Sequence, residues 1–343
     1  MDESNGSSTV GRVSETHHTA PRPRRRRRPY RLAAALLVLL GLAGYYLVQN
    51  ESTGGDGAPH CTVVAAGPGG GEARGSYSMN LEQARYAATI AAVGTARKMP
   101  ERAVTIAMAT AMQESALRNL DHGDRDSLGL FQQRPSQGWG TPAQIMDPVY
   151  SAGIFYDRLK EDVPDYADLP LTVAAQKVQR SGFPDAYAKH ESDAVLLAAA
   201  FTGRAPGALS CSGPLPQETG DATRVKAELV KVFGSALAPK AGPPASRVAA
   251  QRAPADDSEV TLSVSGKDHQ DPADQRRGWE LASWTVAHAA ELGVQRVSYG
   301  DKAWIAGKNK GRWIDKRTGT SGDGDPRNAG PDDVRIFVAP LNR

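Results

Sequence analysis

The run Ala111-Met112-Gln113-Glu114-Ser115 puts a glutamate near the end of what reads as a helix. Ala103, Ala107, Ala111, Glu114 and Leu117 recur at intervals of three and four, so they share one helical face. A glutamate at a helix end is ordinarily solvated. Here its neighbours are small enough for another element to approach closely, and the carboxyl is expected to face a packed cleft. Desolvation raises a carboxyl pKa, and a general acid that must hold its proton near neutral pH needs that shift. Glycoside cleavage uses such an acid to protonate the departing oxygen.

Gly123 to Thr141 supplies a second set of groups: amides at Gln132, Gln133 and Gln137, Arg134, and Trp139 between two glycines. Amides and an exposed aromatic platform suit a sugar, which offers hydroxyls and acetamido groups to hydrogen-bond and an apolar face to stack on. A turn-rich structural loop is the plainer alternative. Asp124 and Asp126 could orient a water, with loop capping the simpler role.

Together these segments resemble the soluble lytic transglycosylase and goose-type lysozyme superfamily. Glu114-Ser115, then Ser127-Leu128-Gly129-Leu130-Phe131-Gln132 and Pro135, are similar to its two leading motifs, with Gln132 following Glu114 by 18 residues. The longer signature GDRDSLGLFQQRPSQGWG looks closer to an actinobacterial branch of envelope proteins. The resemblance implies that Glu114 is the acid, that Ser115 supports it, and that Gly129 to Gln132 line the cleft. Ser127, Gln133 and Trp139 are further substrate-binding candidates. The family's third motif has no direct counterpart; its place falls on Ala174–Gly182 and Tyr187, giving Gln176, Gln179 and Tyr187 as site residues. The implied substrate is the bond between N-acetylmuramic acid and N-acetylglucosamine in peptidoglycan strands. Glu114 works alone in this scheme, without metal or cofactor. A catalytically silent wall-binding protein using the same cleft is the alternative.

Several elements must position these groups. Asn80 can cap a helix whose third residue is Gln83, a capping-box start, and the helix should run to about Lys98. Pro100 opens the helix bearing Glu114, in a first turn where proline is tolerated. Further helices are expected over 148–160, 172–179, 185–202, 222–237 and 277–292, and strands over 260–264, 296–299 and 334–338. The C-terminal stretch faintly resembles a domain related to VanY-type carboxypeptidases. Asp333 and Arg335 stand where that family's strand carries histidines, so imidazole zinc ligation is not expected there. His269 and His288 have no partner at ligand spacing, and the stretch reads as a binding or positioning module.

The 343 residues carry a net charge of +3, but seven arginines lie between Arg22 and Arg31. Such a run could serve a nucleic acid. The uncharged Leu32–Val48 that follows instead suggests the cytoplasmic flank of a membrane helix, so no nucleic-acid role is expected. A cleaved signal peptide is the competing possibility. The expected organisation is a basic cytoplasmic tail (1–31), a transmembrane helix in the bilayer (32–48), an extracellular tether (49–75), a lysozyme-like domain (76–211), a helix and Pro/Ala-rich linker (212–258) and a small α+β domain (259–343). The fold class is thus a mainly α lysozyme-like domain after a single transmembrane helix, followed by a small α+β domain. Localisation would be single-pass in the plasma membrane, with the C-terminal domains extracellular. Cys61 and Cys211 would both lie in an oxidising compartment, where a disulfide is the simplest state; two unrelated free thiols are the alternative.

Overall fold

A computed structural model describes residues 58–65, 75–181, 185–216, 219–234, 258–264, 271–316 and 333–339. The elements in chain order begin with β1 (His60–Val64), β2 (Ser76–Asn80), α1 (Leu81–Ala96), α2 (Glu101–Ser115), α3 (Pro142–Ile145), α4 (Pro148–Asp162) and α5 (Leu171–Gln179). There follow α6 (Glu191–Phe201), β3 (Leu209–Ser212), α7 (Ala222–Phe233), β4 (Glu259–Ser263), α8 (Pro272–Ala287), α9 (Ala289–Leu292), β5 (Val294–Tyr299), β6 (Lys302–Ile305), β7 (Ile314–Asp315) and β8 (Asp333–Val338).

The N-terminus of α1 is built as its sequence requires. Asn80 Oδ1 accepts from the Gln83 amide at 2.8 Å, and Gln83 Oε1 accepts from the Asn80 amide at 2.9 Å. The same Gln83 donates through Nε2 to the Ala116 carbonyl, 2.8 Å away, which fastens the start of α1 to the end of α2. Nearly every residue of α1 from Ala84 to Gly94 is buried. A helix apolar all round is an interior helix, and α1 packs against α2, α4, α6, α7 and α8. Gly94 permits one of these approaches: a Cβ there would lie 2.7 Å from the Tyr156 hydroxyl, which itself donates to the Ile90 carbonyl.

Two antiparallel sheets frame the helices. In the first, the strand order is β2-β1-β3, and Cys61 lies directly opposite Cys211. These two form a disulfide that closes 150 residues of chain. Closing so long a loop contributes on the order of 4–5 kcal/mol in a chain-entropy treatment. The second sheet is five-stranded, β4-β8-β5-β6-β7, and antiparallel throughout. Its strand β8 alternates buried Val334, Ile336 and Val338 with half-buried Asp333, Arg335 and Phe337.

The fold class expected from sequence is corrected by this architecture. The described residues hold nine helices and two antiparallel sheets, and no helix among them is long and apolar enough to cross a membrane. Leu32–Val48, the expected span, lies outside the described residues. The expected mainly α first domain carries a three-stranded sheet whose central strand falls in a stretch read as tether. Among the described residues, the C-terminal α+β portion packs with the helical portion in one compact unit. The reason lies in α8, where all ten residues from Gly278 to Ala287 are buried. One side of this helix meets β5 and β8; another meets α1. Glu280 sits in that second contact, accepting from the Thr95 hydroxyl of α1 and pairing with Arg277 at 2.8 Å. Burial pushes its pKa up against the pull of these partners.

Candidate active site

Helix α2 delivers Glu114 to the site and stops one residue later. Ala116 and Leu117 both adopt left-handed conformations, with φ of 52° and 58°. The Leu117 amide donates back to the Ala111 carbonyl at 3.2 Å. Leu117 is therefore beyond the helix, and it enters the core through the turn that ends α2 instead of extending the alanine stripe. Ala103, Ala107 and Ala111 are fully buried as expected, and Glu114 is half-buried at the helix end.

The next part of the site is a tight loop. Leu128 and Gln133 exchange two backbone hydrogen bonds of 2.9 Å, enclosing Gly129-Leu130-Phe131-Gln132 as a four-residue turn. Gly129 is required there: its φ is +76°, and a Cβ would stand 2.7 Å from the Ile145 carbonyl. Gln132 also takes a positive φ of 46°. Two side chains fasten this turn beside Glu114. Ser115 Oγ donates to the Leu130 carbonyl at 2.8 Å, and Gln179 Nε2, at the end of α5, donates to the Phe131 carbonyl at 2.7 Å.

Tyr187 completes the arrangement. Fully buried, it donates from its hydroxyl to Glu114 Oε1 at 2.7 Å. Burial raises the Glu114 pKa, while hydrogen bonds from Tyr187 and then Gln179 oppose that rise. The Tyr187 phenol is pushed upward by its own burial and by the neighbouring carboxylate, so it stays a donor. Such a site can hold a proton on one carboxyl and return to the carboxylate with two donors in place.

The expected site residues divide into two groups. Glu114, Ser115, Gln179, Tyr187 and the Gly129–Gln132 turn converge, with Phe131 contributing its carbonyl. The Phe131 ring points into the core, stacked on Phe155 with centroids 4.7 Å apart. Gln133 is 1% exposed and donates to the Ser151 carbonyl, so it braces α4. Ser127 is likewise buried. Gln176 donates to the Ser181 carbonyl at 2.7 Å, tying down the segment after α5.

Trp139 departs most from expectation. It is 6% exposed and lies beneath the Arg158 guanidinium, 3.7 Å from ring centroid to Cζ. Its face is already occupied by a cation, and it is not an open sugar platform. Asp126 accepts from Arg134 Nε and from the Ser136 amide, both at 2.8 Å. Those contacts hold its carboxyl well below the usual range, as befits a loop cap.

Two residues beside the acid had no separate signal in the sequence. Gln113 Oε1 and His190 Nε2 are 3.2 Å apart, so the turn Ala188–His190 docks on the last turn of α2 next to Glu114. Burial lowers the His190 pKa, with Lys189 adding to the effect. The only available clue was His190 lying three residues after Tyr187, one turn along the same segment. Asp333 and Arg335 are engaged within the second sheet, by Ser263 and Glu259 respectively. No group of His, Cys, Asp and Glu among the described residues is placed to hold a metal. No protein-family model matches the chain, and no curated protein does so either.

Proposed function

We propose that this protein cleaves the β-1,4 bond between N-acetylmuramic acid and N-acetylglucosamine in peptidoglycan, with Glu114 as its single acid and base. The observation that carries the reading is the Glu114 carboxyl itself, desolvated at a helix end and flanked by Tyr187 and Gln179. The glycan class rests on the likeness of Glu114-Ser115 and Gly129–Gln132 to lytic transglycosylase and goose-type lysozyme motifs. Glu114 gives its proton to the bridging oxygen as the C1–O bond breaks. The resulting carboxylate then takes a proton from the attacking oxygen. That oxygen is the muramyl C6 hydroxyl, which closes an anhydro ring, or a water, which gives a reducing end. The Cys61–Cys211 disulfide favours action outside the reducing cytosol.

Glycan binding without cleavage is a second reading, and a specific feature favours it. Both donors beside Glu114 stabilise the charged carboxylate, whereas an acid must start protonated. Incubation with purified sacculi, followed by mass analysis of soluble products, separates the two. Release of muropeptides that disappears with Glu114→Gln supports cleavage; retention on the sacculi with no release supports binding alone. The same masses distinguish anhydro from reducing ends.

A further inference from the structure

Gln113 and Glu114 are consecutive on the last turn of α2, and each meets a residue of one short segment. Tyr187 donates to Glu114 Oε1 at 2.7 Å, and His190 Nε2 lies 3.2 Å from Gln113 Oε1. The two contacts leave from opposite ends of a single turn, which the His190 amide closes onto the Tyr187 carbonyl at 3.1 Å. An amide oxygen only accepts, so His190 donates through Nε2. Burial and Lys189 lower the pKa of the ring, against a smaller pull from Asp193, so it is neutral at pH 7 and commits its one N–H to Gln113.

Little else locates the main chain at Tyr187. Between Gln179, where α5 ends, and Glu191, where α6 begins, the turn Ala188–His190 is the only regular element among the described residues. The Tyr187 ring is buried, and Ser181 also bonds to its side chain. Past the turn, Glu191 pairs with Arg102 of α2 at 3.0 Å, and Arg102 donates to the Leu169 carbonyl at 2.9 Å. Arg102 and Gln113 lie about three turns apart along one face of α2. His190 and Glu191 thus reach along that helix in opposite directions. The ion pair fastens α6 toward the start of α2, and the His190 bond fixes the turn at the end that carries Glu114.

We propose that His190 is a positioning residue for the Glu114 acid: through Gln113 it holds the turn that aims the Tyr187 hydroxyl at the carboxyl. The inference rests on the catalytic reading of Glu114 given above. His190 acts through Tyr187, and small displacements of an orienting group weigh heavily on rate: about 1 Å can cost on the order of 100-fold.

The test compares His190→Ala, Gln113→Ala and His190→Gln in the intact chain, with two readouts. In NMR titration of the glutamate carboxyls, a poorly aimed donor should raise the Glu114 pKa in His190→Ala and in Gln113→Ala. The double variant should shift it no further than either single one, because both remove the same bond. His190→Gln supplies an amide donor in place of the ring and should restore the wild-type value. Glu191→Gln, which removes the neighbouring ion pair, should leave the Glu114 titration unchanged. In release of soluble products from sacculi, kcat should fall roughly 10-fold in His190→Ala with KM unchanged. Half-buried Gln113 gives the same test if His190→Ala folds poorly. A Glu114 titration unmoved by His190→Ala and Gln113→Ala, no restoration by His190→Gln, or an equal shift from Glu191→Gln would overturn the role. If the wild-type protein releases no product, the cleavage reading fails, and the carboxyl titration still decides whether His190 positions Tyr187 on Glu114.

Discussion

Tyr187 donates a 2.7 Å hydrogen bond to Glu114 across 73 residues of sequence, joining the turn before α6 to the end of α2. The bond stabilises the charged carboxylate, while burial destabilises it. Tyr187→Phe removes the donor and leaves the burial, so the Glu114 pKa should climb further. Carbon-detected NMR titration of the labelled glutamate carboxyls would show this directly. The same variant should slow any glycan cleavage by roughly 10- to 100-fold, the worth of a hydrogen bond to a charged group. A Glu114 titration identical in the two proteins would show that the contact does not tune the acid.

Glu114→Gln has two expected effects of opposite sign. Glycan release should fall by about 100-fold or more, the usual contribution of a positioned general acid. Heat stability should rise at neutral pH. Because the folded pKa is raised, the stabilising contribution of Glu114 is complete below the ordinary glutamate value and lost as pH rises through the folded value. A permanently neutral amide escapes that loss. Melting curves of the two proteins should therefore separate at pH 7 and converge at acid pH; a gap that is constant with pH would contradict the shift.

Trp139 provides a cleaner distinction between ligand platform and core. With its ring under Arg158 and only 6% exposed, Trp139→Ala should cost about 3–5 kcal/mol in denaturant unfolding. Retention on sacculi, measured on the folded fraction, should stay near the wild-type level. Loss of glycan binding with unchanged stability would restore Trp139 to the cleft.

Glu280 tests the joint between α8 and α1. Glu280→Ala strips the partner from Arg277 and from the Thr95 hydroxyl in a contact where the carboxyl is 4% exposed. The expected loss is about 3 kcal/mol, near the cost of breaking a buried ion pair. Because the contact ties both halves of the described unit together, near-UV circular dichroism and far-UV signal should melt together. A separate early transition confined to one half would argue against the joint.

Much of the helical frame could be read from local chemistry. Asn80 and Gln83 carry a capping box in their side-chain types, and Pro100 fixes an N-terminus through its missing N–H. The Glu114 and Gln132 spacing led to a turn that does lie against α2. Other features depended on distant partners. Strand β1 is only His60–Val64, too short to declare itself without β2 and β3 on either side. Two glycines around Trp139 suggested exposure, but Arg158 arrives from α4 and covers the ring. The stretch Gly278–Ala287 has Glu280 as its one charge, a sign of burial on all sides that a faint C-terminal resemblance obscured.

The double-sided burial of α8 also has a consequence in time. A chain made from its N-terminus contains Glu114, Gln179 and Tyr187 well before it contains Ala287, the last residue of the helix that covers α1. The 100 residues from Tyr187 to Ala287 take roughly 5–20 s to synthesise at ordinary translation rates. Throughout that interval the interior helix of the nascent protein lacks one of its walls. A chaperone that shields apolar helices during synthesis would therefore have its natural window here, and a ribosome stalled before α8 would leave a sticky, protease-sensitive intermediate.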